Sequence, residues 1–308
     1  MNYLIQSKTK NESDYIPEEF KKEIELHICK NILCDRNTEF KAPLILAISG
    51  PIGMGKSYQT IKVLESMNIS INRINASEFE DASAGIPIKN FLNVYISASE
   101  DIMYHKVKTS AILIDDADAA LGTWGGMVQY TMNRQHLIKT LIDLADNPKN
   151  VTRKDDDNIR EIIPTHRIPI ILTLNDETKM YPPLMRPGRT RPFKWTVGQD
   201  DLVKIIMKMF SRLSEKDAKE LFEEMLRHAQ MMKNDSYDHG LPVSLFTDIQ
   251  SNLLDRSITK LINDHGVTYT MEKIHLSIKE KYENYHLSDL KEIGKSIITK
   301  VQNYLKGV

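Results

Sequence analysis

The chain has 308 residues, with 41 Lys and Arg against 42 Asp and Glu, giving a formal net charge of -1. That length supplies a full-size core and about two domains, while the near-neutral balance lacks the broad basic field of a duplex-DNA binder and counts against nucleic acid as a partner. No stretch approaches the ~20 apolar residues of a membrane span, and the polar start from Met1 to Lys10 has no apolar signal region, so a cytoplasmic protein with no membrane partner is expected.

Residues 1 to about 16 are polar. From Pro17 to about Leu33, Phe20, Ile24, Ile28 and Ile32 recur at helical spacing and predict an amphipathic helix; together these make an N-terminal segment, 1–40. Cys29 and Cys34 fall within it, at a spacing that suits neither a redox pair nor a zinc knuckle.

Leu44 to Ser49 is an almost unbroken apolar run, as a strand covered on both faces of a parallel sheet requires. It leads directly into G-P-I-G-M-G-K-S-Y, Gly50 to Tyr58. In a Gly-x-x-x-x-Gly-Lys-Ser loop, the glycines Gly50, Gly53 and Gly55 let backbone N–H groups turn inward around a phosphate, and Pro51 and Met54 contribute backbone to the same cradle. Lys56 supplies positive charge for the β- and γ-phosphates. Ser57 offers a hydroxyl to Mg²⁺, and the helix predicted from Tyr58 to Met67 aims its positive end at the anion. A nucleotide, ATP, is thus the expected ligand, and Mg²⁺ is the only metal expected: the nine histidines form no ligand cluster.

Further strands are predicted at Ile71 to Asn75, Ser110 to Ile114, Ile168 to Thr173 and Phe193 to Thr196, with helices after Pro87 and from Gln129 to Ala145. Asn150 to Thr165 reads as a charged surface loop. Alternating strand and helix means a doubly wound parallel α/β sheet, over 41–198. After Gly198 only helical patterns remain: Leu202 to Phe210, a capped helix opening at Ser214, Val243 to Ile262, Met271 to Tyr282 and Leu287 to Leu305. A smaller all-helical lid domain is therefore placed at 199–308.

Asp115 and Asp116 end the strand at 110–114, with Asp118 two residues on. This is the pattern of a Walker B strand, in which Asp115 would hold Mg²⁺ and Asp116 would orient and deprotonate the attacking water. Asn175, at the end of the strand 168–173, can position that water. Arg186 and Arg189 lie just beyond, where a pair of cations can act as fingers on a neighbouring subunit's nucleotide.

The order of these parts resembles an AAA+ ATPase. G-G-M-V-Q-Y-T-M-N at 125–133, T-L-I-D-L-A-D-N-P-K-N-V at 140–151, P-I-I-L-T-L-N-D at 169–176 and Y-P-P-L-M-R-P-G-R at 181–189 closely resemble the Rubisco activase family; S-A-G-I-P-I-K at 83–89 and L-S-D-L-K-E-I-G at 287–294 add to this. The resemblance implies a homo-oligomeric ring, a hexamer, that couples ATP hydrolysis to remodelling a protein client, with Rubisco as the first client to consider and release of inhibitory sugar phosphates as the outcome. It also implies that Ala82 to Ile86, Gly122 to Met127 and 150–165 line a pore, where Trp124 would either grip the client or pack beneath its loop.

The chain departs from the family pattern in two places. Asp115-Asp116-Ala117-Asp118 stands where the family has Asn-Asp-Leu-Asp, and Gln250 and Asn252 stand where it has lid arginines, with Arg256 the nearest cation. The plant family's N-terminal recruitment domain and the small-subunit-like tail are not recognisable, which leaves client recruitment open. Two alternatives accompany the leading reading: an activase-like motor acting on another complex, and a binding module in which ATP gates assembly.

Overall fold

The computed structural model describes residues 14–75, 85–122, 132–154, 160–232, 237, 240–270 and 285–305. The expected helix at 271–282 and the residue Trp124 lie outside them. The described residues divide into two compact units, Glu18–Thr196 and Val197 onward, the second also taking in residues 14–17.

The first unit holds strands β1 (Ile45–Ser49), β2 (Ser70–Asn75), β3 (Ser110–Asp115), β4 (Asn150–Lys154), β5 (Arg160–Pro164), β6 (Ile170–Leu174) and β7 (Thr190–Lys194). Five of them form one parallel sheet in the order β2-β3-β6-β1-β7. β1, β3 and β6 are buried along their whole lengths, which is why their sequences, ILAIS, SAILID and IILTL, are nearly all apolar. β2 and β7 lie at the edges and carry polar residues, and Pro192 sits in β7 where a missing N–H can face away from the ladder. The last strand is thus Thr190–Lys194 and not the expected Phe193 to Thr196; the polar residues Thr190 and Arg191 and its proline hid its start.

Helices α1 (Glu18–Arg36), α2 (Lys56–Ser66), α3 (Ile86–Met103), α4 (Ala117–Leu121) and α5 (Met132–Asp146) complete this unit. Pro87 stands in the first turn of α3, where its lost N–H has no intrahelical partner to miss. The expected surface loop at 150–165 is corrected to an antiparallel hairpin of β4 and β5. Its charges mislead because they pair across the strands: Arg153 Nε donates to Glu161 at 3.1 Å, in register, while Val151 points into the core.

α1 is fixed to the α/β body by both apolar and polar contacts. Phe20 packs edge-on against Trp195 at 4.9 Å, and Glu23 receives two hydrogen bonds from the Arg191 guanidinium at 2.9 Å. Toward the C-terminal end of α1, Asn31 accepts from Arg167 Nε at 2.6 Å, and Asp35 accepts from the Arg167 N–H at 2.8 Å while its other oxygen meets His166 Nδ1 at 2.8 Å. His27 is enclosed beside this group, and burial holds its imidazole neutral, pulling its pKa down to about 3.

The second unit packs α6 (Gln199–Met209), α7 (Glu215–Met231), α8 (Val243–His265) and α9 (Leu287–Leu305) around Ile206, Phe210, Leu221, Met225, Phe246, Ile249 and Leu290. α7 opens with a capping box, in which Ser214 and Asp217 bond reciprocally to each other's backbone N–H, worth about 1 kcal/mol of helix stability. α9 comes close enough that a Cβ on Gly294 would meet Met225 Sδ at 2.3 Å.

Candidate functional site

The C-terminal ends of β1, β3 and β6 are neighbours, so the loops that follow them converge at one sheet edge, where open α/β sheets bind ligands. The loop after β1 turns through two left-handed glycines, Gly53 at φ 78° and Gly55 at φ 75°, conformations that a side chain would strain. Gly50 is needed for a different reason. A Cβ there would lie 2.0 Å from the Trp195 carbonyl oxygen, because β7 runs so close that the Trp195 N–H donates to Ser49 O at 2.6 Å. Met54 is buried and its carbonyl accepts from the Gln59 amide at 3.3 Å, which stiffens the loop against α2.

Lys56 opens α2 and is only 6% exposed. Its ammonium donates to Gly50 O at 2.8 Å, Pro51 O at 2.9 Å and Asn175 Oδ1 at 3.0 Å. Burial lowers its pKa, while the charges of Asp116, Asp118 and Asp115 oppose that shift. Lys56 therefore ties the glycine loop to the end of β6. Tyr58, in the next turn position, is largely exposed beneath the Lys62 ammonium.

Asp115, the last residue of β3, is buried. One oxygen accepts from the Ser57 hydroxyl and from Thr173 Oγ1 at 2.6 Å; the other meets Arg73 Nη2 at 2.5 Å. Burial pushes its pKa up, but these three donors outweigh it and hold the carboxyl below its usual range. The predicted metal pair, Ser57 and Asp115, is thus in direct contact, and its hard oxygen donors at the mouth of a phosphate cradle suit Mg²⁺, which binds through one or two protein oxygens together with substrate phosphates. These residues fit that ion.

Asp116 adopts a left-handed backbone, φ 49°, and its N–H donates to Thr173 Oγ1 at 3.0 Å. Its carboxylate is hydrogen-bonded to the Asn175 side chain and lies within reach of the Lys56 charge. Burial and repulsion from Asp115 and Asp118 raise its pKa, a shift suited to a proton acceptor, against the opposing effect of Lys56 and the Asn175 amide. Thr173 therefore sets both carboxylates. It was legible only as a polar residue in an otherwise apolar buried strand.

Residues 46–194 match the model of the family described as ATPase family associated with various cellular activities (AAA). Residues 46–194 thus form an AAA ATPase domain. It is also similar to proteins named ribulose bisphosphate carboxylase/oxygenase activase, chloroplastic: 34% identical over 260 residues to that of Malus domestica and over 262 residues to that of Vigna radiata var. radiata, in each case 84% of this chain and 55% of the relative. With the Oryza sativa subsp. japonica protein it shares 34% over 253 residues, 82% of this chain and 50% of the relative. The chain spans about half the length of the curated relatives it matches.

Within this AAA domain the two predicted arginines behave differently. Arg189 is held by its own chain: Nε and Nη2 each donate to Asp146 at 2.7 Å and Nη1 donates to Pro183 O at 2.8 Å. Arg186 is exposed, and its guanidinium meets no acidic partner among the described residues; its carbonyl accepts from the Arg189 and Thr190 N–H groups. Of the expected pore segments, Gly85, Ile86, Gly122 and the two hairpin strands are described, and the stretches at 82–84, 123–127 and 155–159 are not. In the helical unit, Gln250 donates to Met209 O at 3.3 Å, Asn252 to Asp248 O at 2.9 Å, and Arg256 pairs with Glu292 at 3.0 Å.

Proposed function

We propose that this chain is the ATP-hydrolysing core of an activase-type remodelling motor, assembled as a homo-oligomeric ring, that acts on a protein client; the similarity to ribulose bisphosphate carboxylase/oxygenase activases makes Rubisco the first client to test. The carrying observation is the convergence of Lys56, Asp115, Asp116 and Asn175 at the ends of three adjacent strands. In this reading the glycine loop and Lys56 bind the triphosphate, and Ser57 and Asp115 hold Mg²⁺. When bound, Mg²⁺ neutralises phosphate charge and orients the γ-phosphate for in-line attack. Asp116 takes the proton of the attacking water while Asn175, bonded to Lys56, positions it. Arg186 reaches the next subunit's γ-phosphate.

Phosphate release and nucleotide affinity of the wild type, Lys56→Ala and Asp116→Asn test this reading. Lys56→Ala should lose nucleotide binding or turnover, whereas Asp116→Asn should keep binding and lose turnover by about 10²- to 10⁴-fold, the worth of a positioned base. Unchanged turnover in either variant overturns it. Client assignment is a separate assay: ATP-dependent recovery of sugar-phosphate-inhibited Rubisco, or its absence.

The helical unit favours keeping a second reading, the same motor on a different client. Gln250 and Asn252 bond to backbone carbonyls of their own unit, so the segment that carries lid arginines in the family pattern is differently wired here. An Asp116→Asn ring trapped with ATP and analysed for its bound protein decides between the clients.

A further inference from the structure

β2 contributes a residue that the functional reading above does not use. Arg73 faces the end of β3 because β2 and β3 are paired in register from Ser70↔Ser110 to Asn75↔Asp115, and its side chain reaches two residues along to Asp115. There Nη2 sits 2.5 Å from Oδ2, the carboxylate oxygen that Ser57 and Thr173 leave open. Since β2 is the edge of the sheet, the Arg73 side chain stays half exposed while Asp115 is buried. The guanidinium therefore caps the buried carboxylate from the solvent side.

Charge explains why a cation is wanted at that point. Asp115, Asp116 and Asp118 cluster at the end of β3, and Lys56 is engaged with the glycine loop and Asn175. Without a nucleotide, a second cation offsets the repulsion among the carboxylates. Mg²⁺ entering beside Ser57 and Asp115 makes the same cation unfavourable, because a guanidinium and a divalent ion on one carboxylate repel each other.

We propose that Arg73 is a built-in counter-ion for Asp115 that holds the metal position before the metal nucleotide arrives and is displaced by Mg²⁺. It is a positioning residue whose exchange with the ion sets how much Mg²⁺ the site requires. This rests on the ATPase reading above and adds a determinant of metal affinity to it.

The test is a titration of Mn²⁺, as a spectroscopic stand-in for Mg²⁺, into the ADP-bound full chain, with bound metal counted by electron paramagnetic resonance. Arg73→Gln should bind Mn²⁺ about two- to fivefold more tightly than wild type, the range for a partly exposed charge pair. Arg73→Lys should stay near wild type because it keeps the charge. In the presence of a chelator, Arg73→Gln should bind ADP no more tightly than wild type. Unchanged or weaker Mn²⁺ binding in Arg73→Gln overturns the proposal, as it would mean that Arg73 supports the metal and is not displaced by it. Equal tightening in Arg73→Lys, or complete loss of ADP binding in Arg73→Gln, overturns it too. Failure of the wild type itself to bind ADP would instead remove the ATPase reading.

Discussion

The carboxylate of Asp118 accepts the backbone N–H groups of both Asn175 and Asp176, each at 3.1 Å, across 57 positions of sequence to Asn175. One buried oxygen on α4 thus fixes the loop after β6, so the Asn175 side chain can meet Lys56 and Asp116 together. The carboxylate strand and the asparagine strand are linked through this bond as well as through Thr173.

Removing that acceptor should separate binding from turnover. Asp118→Ala leaves two N–H groups without their charged partner and should lower unfolding free energy by about 1–3 kcal/mol. Turnover should fall about tenfold or more as Asn175 drifts from the water site, because small misplacements of catalytic groups are costly. ADP affinity should change little. Asp118→Asn, which keeps one oxygen able to accept both N–H groups, should retain most of the activity. Phosphate release and ADP titration on the two variants check this, and wild-type turnover in Asp118→Ala would contradict it.

The parts of the site that were legible in the sequence are those set by local chemistry. Gly53 and Gly55 announce left-handed turns, Lys56 and Ser57 follow at fixed spacing, and Asp115 closes an apolar run whose burial on both faces left no polar residue to blur its end. What was hidden depends on partners distant in sequence. Gly50 is required by the approach of Trp195, Thr173 by the Asp115 carboxylate and the Asp116 N–H at the end of β3, and Arg73 by the register of a weakly apolar edge strand, S-I-N-R-I-N. The hairpin at 150–164 was obscured because Arg153 and Glu161 neutralise each other only once the strands pair. α1 was readable as an amphipathic helix, but its apolar stripe did not disclose the polar cluster of Asn31, Asp35, His166 and Arg167.

Enclosure of His27 predicts an acid-sensitive α/β unit. Its folded pKa is depressed to about 3, so between that value and its ordinary 6.5 the unfolded chain binds a proton that the folded chain does not. Stability from this residue is therefore complete above pH 6.5 and is lost as pH falls, by about 2 kcal/mol at pH 5. Denaturant midpoints from pH 7 to pH 5 should drop less steeply in His27→Asn than in wild type, even though the variant starts from a lower stability. Parallel slopes for the two proteins would show that the imidazole is protonated in the folded state.

Arg186 and Arg189 should contribute in distinct ways. Arg189 is bonded to Asp146 and Pro183 O, an arrangement that pins the 183–189 loop to the end of α5 and leaves Arg186 exposed. Arg186→Ala should therefore lower turnover by about 10³-fold, the effect of losing an arginine finger, with ADP affinity intact. Mixed rings of Arg186→Ala and Lys56→Ala should regain activity, since the second variant can offer its arginine to the intact site of the first. Asp146→Ala breaks the clamp but keeps both arginines, and it should reproduce most of the loss seen in Arg189→Ala, about tenfold or more. Arg186→Ala combined with Arg189→Ala should be little worse than Arg186→Ala alone. Full turnover in Asp146→Ala alongside a dead Arg189→Ala would instead make Arg189 the group that meets the nucleotide, released from Asp146 when subunits join.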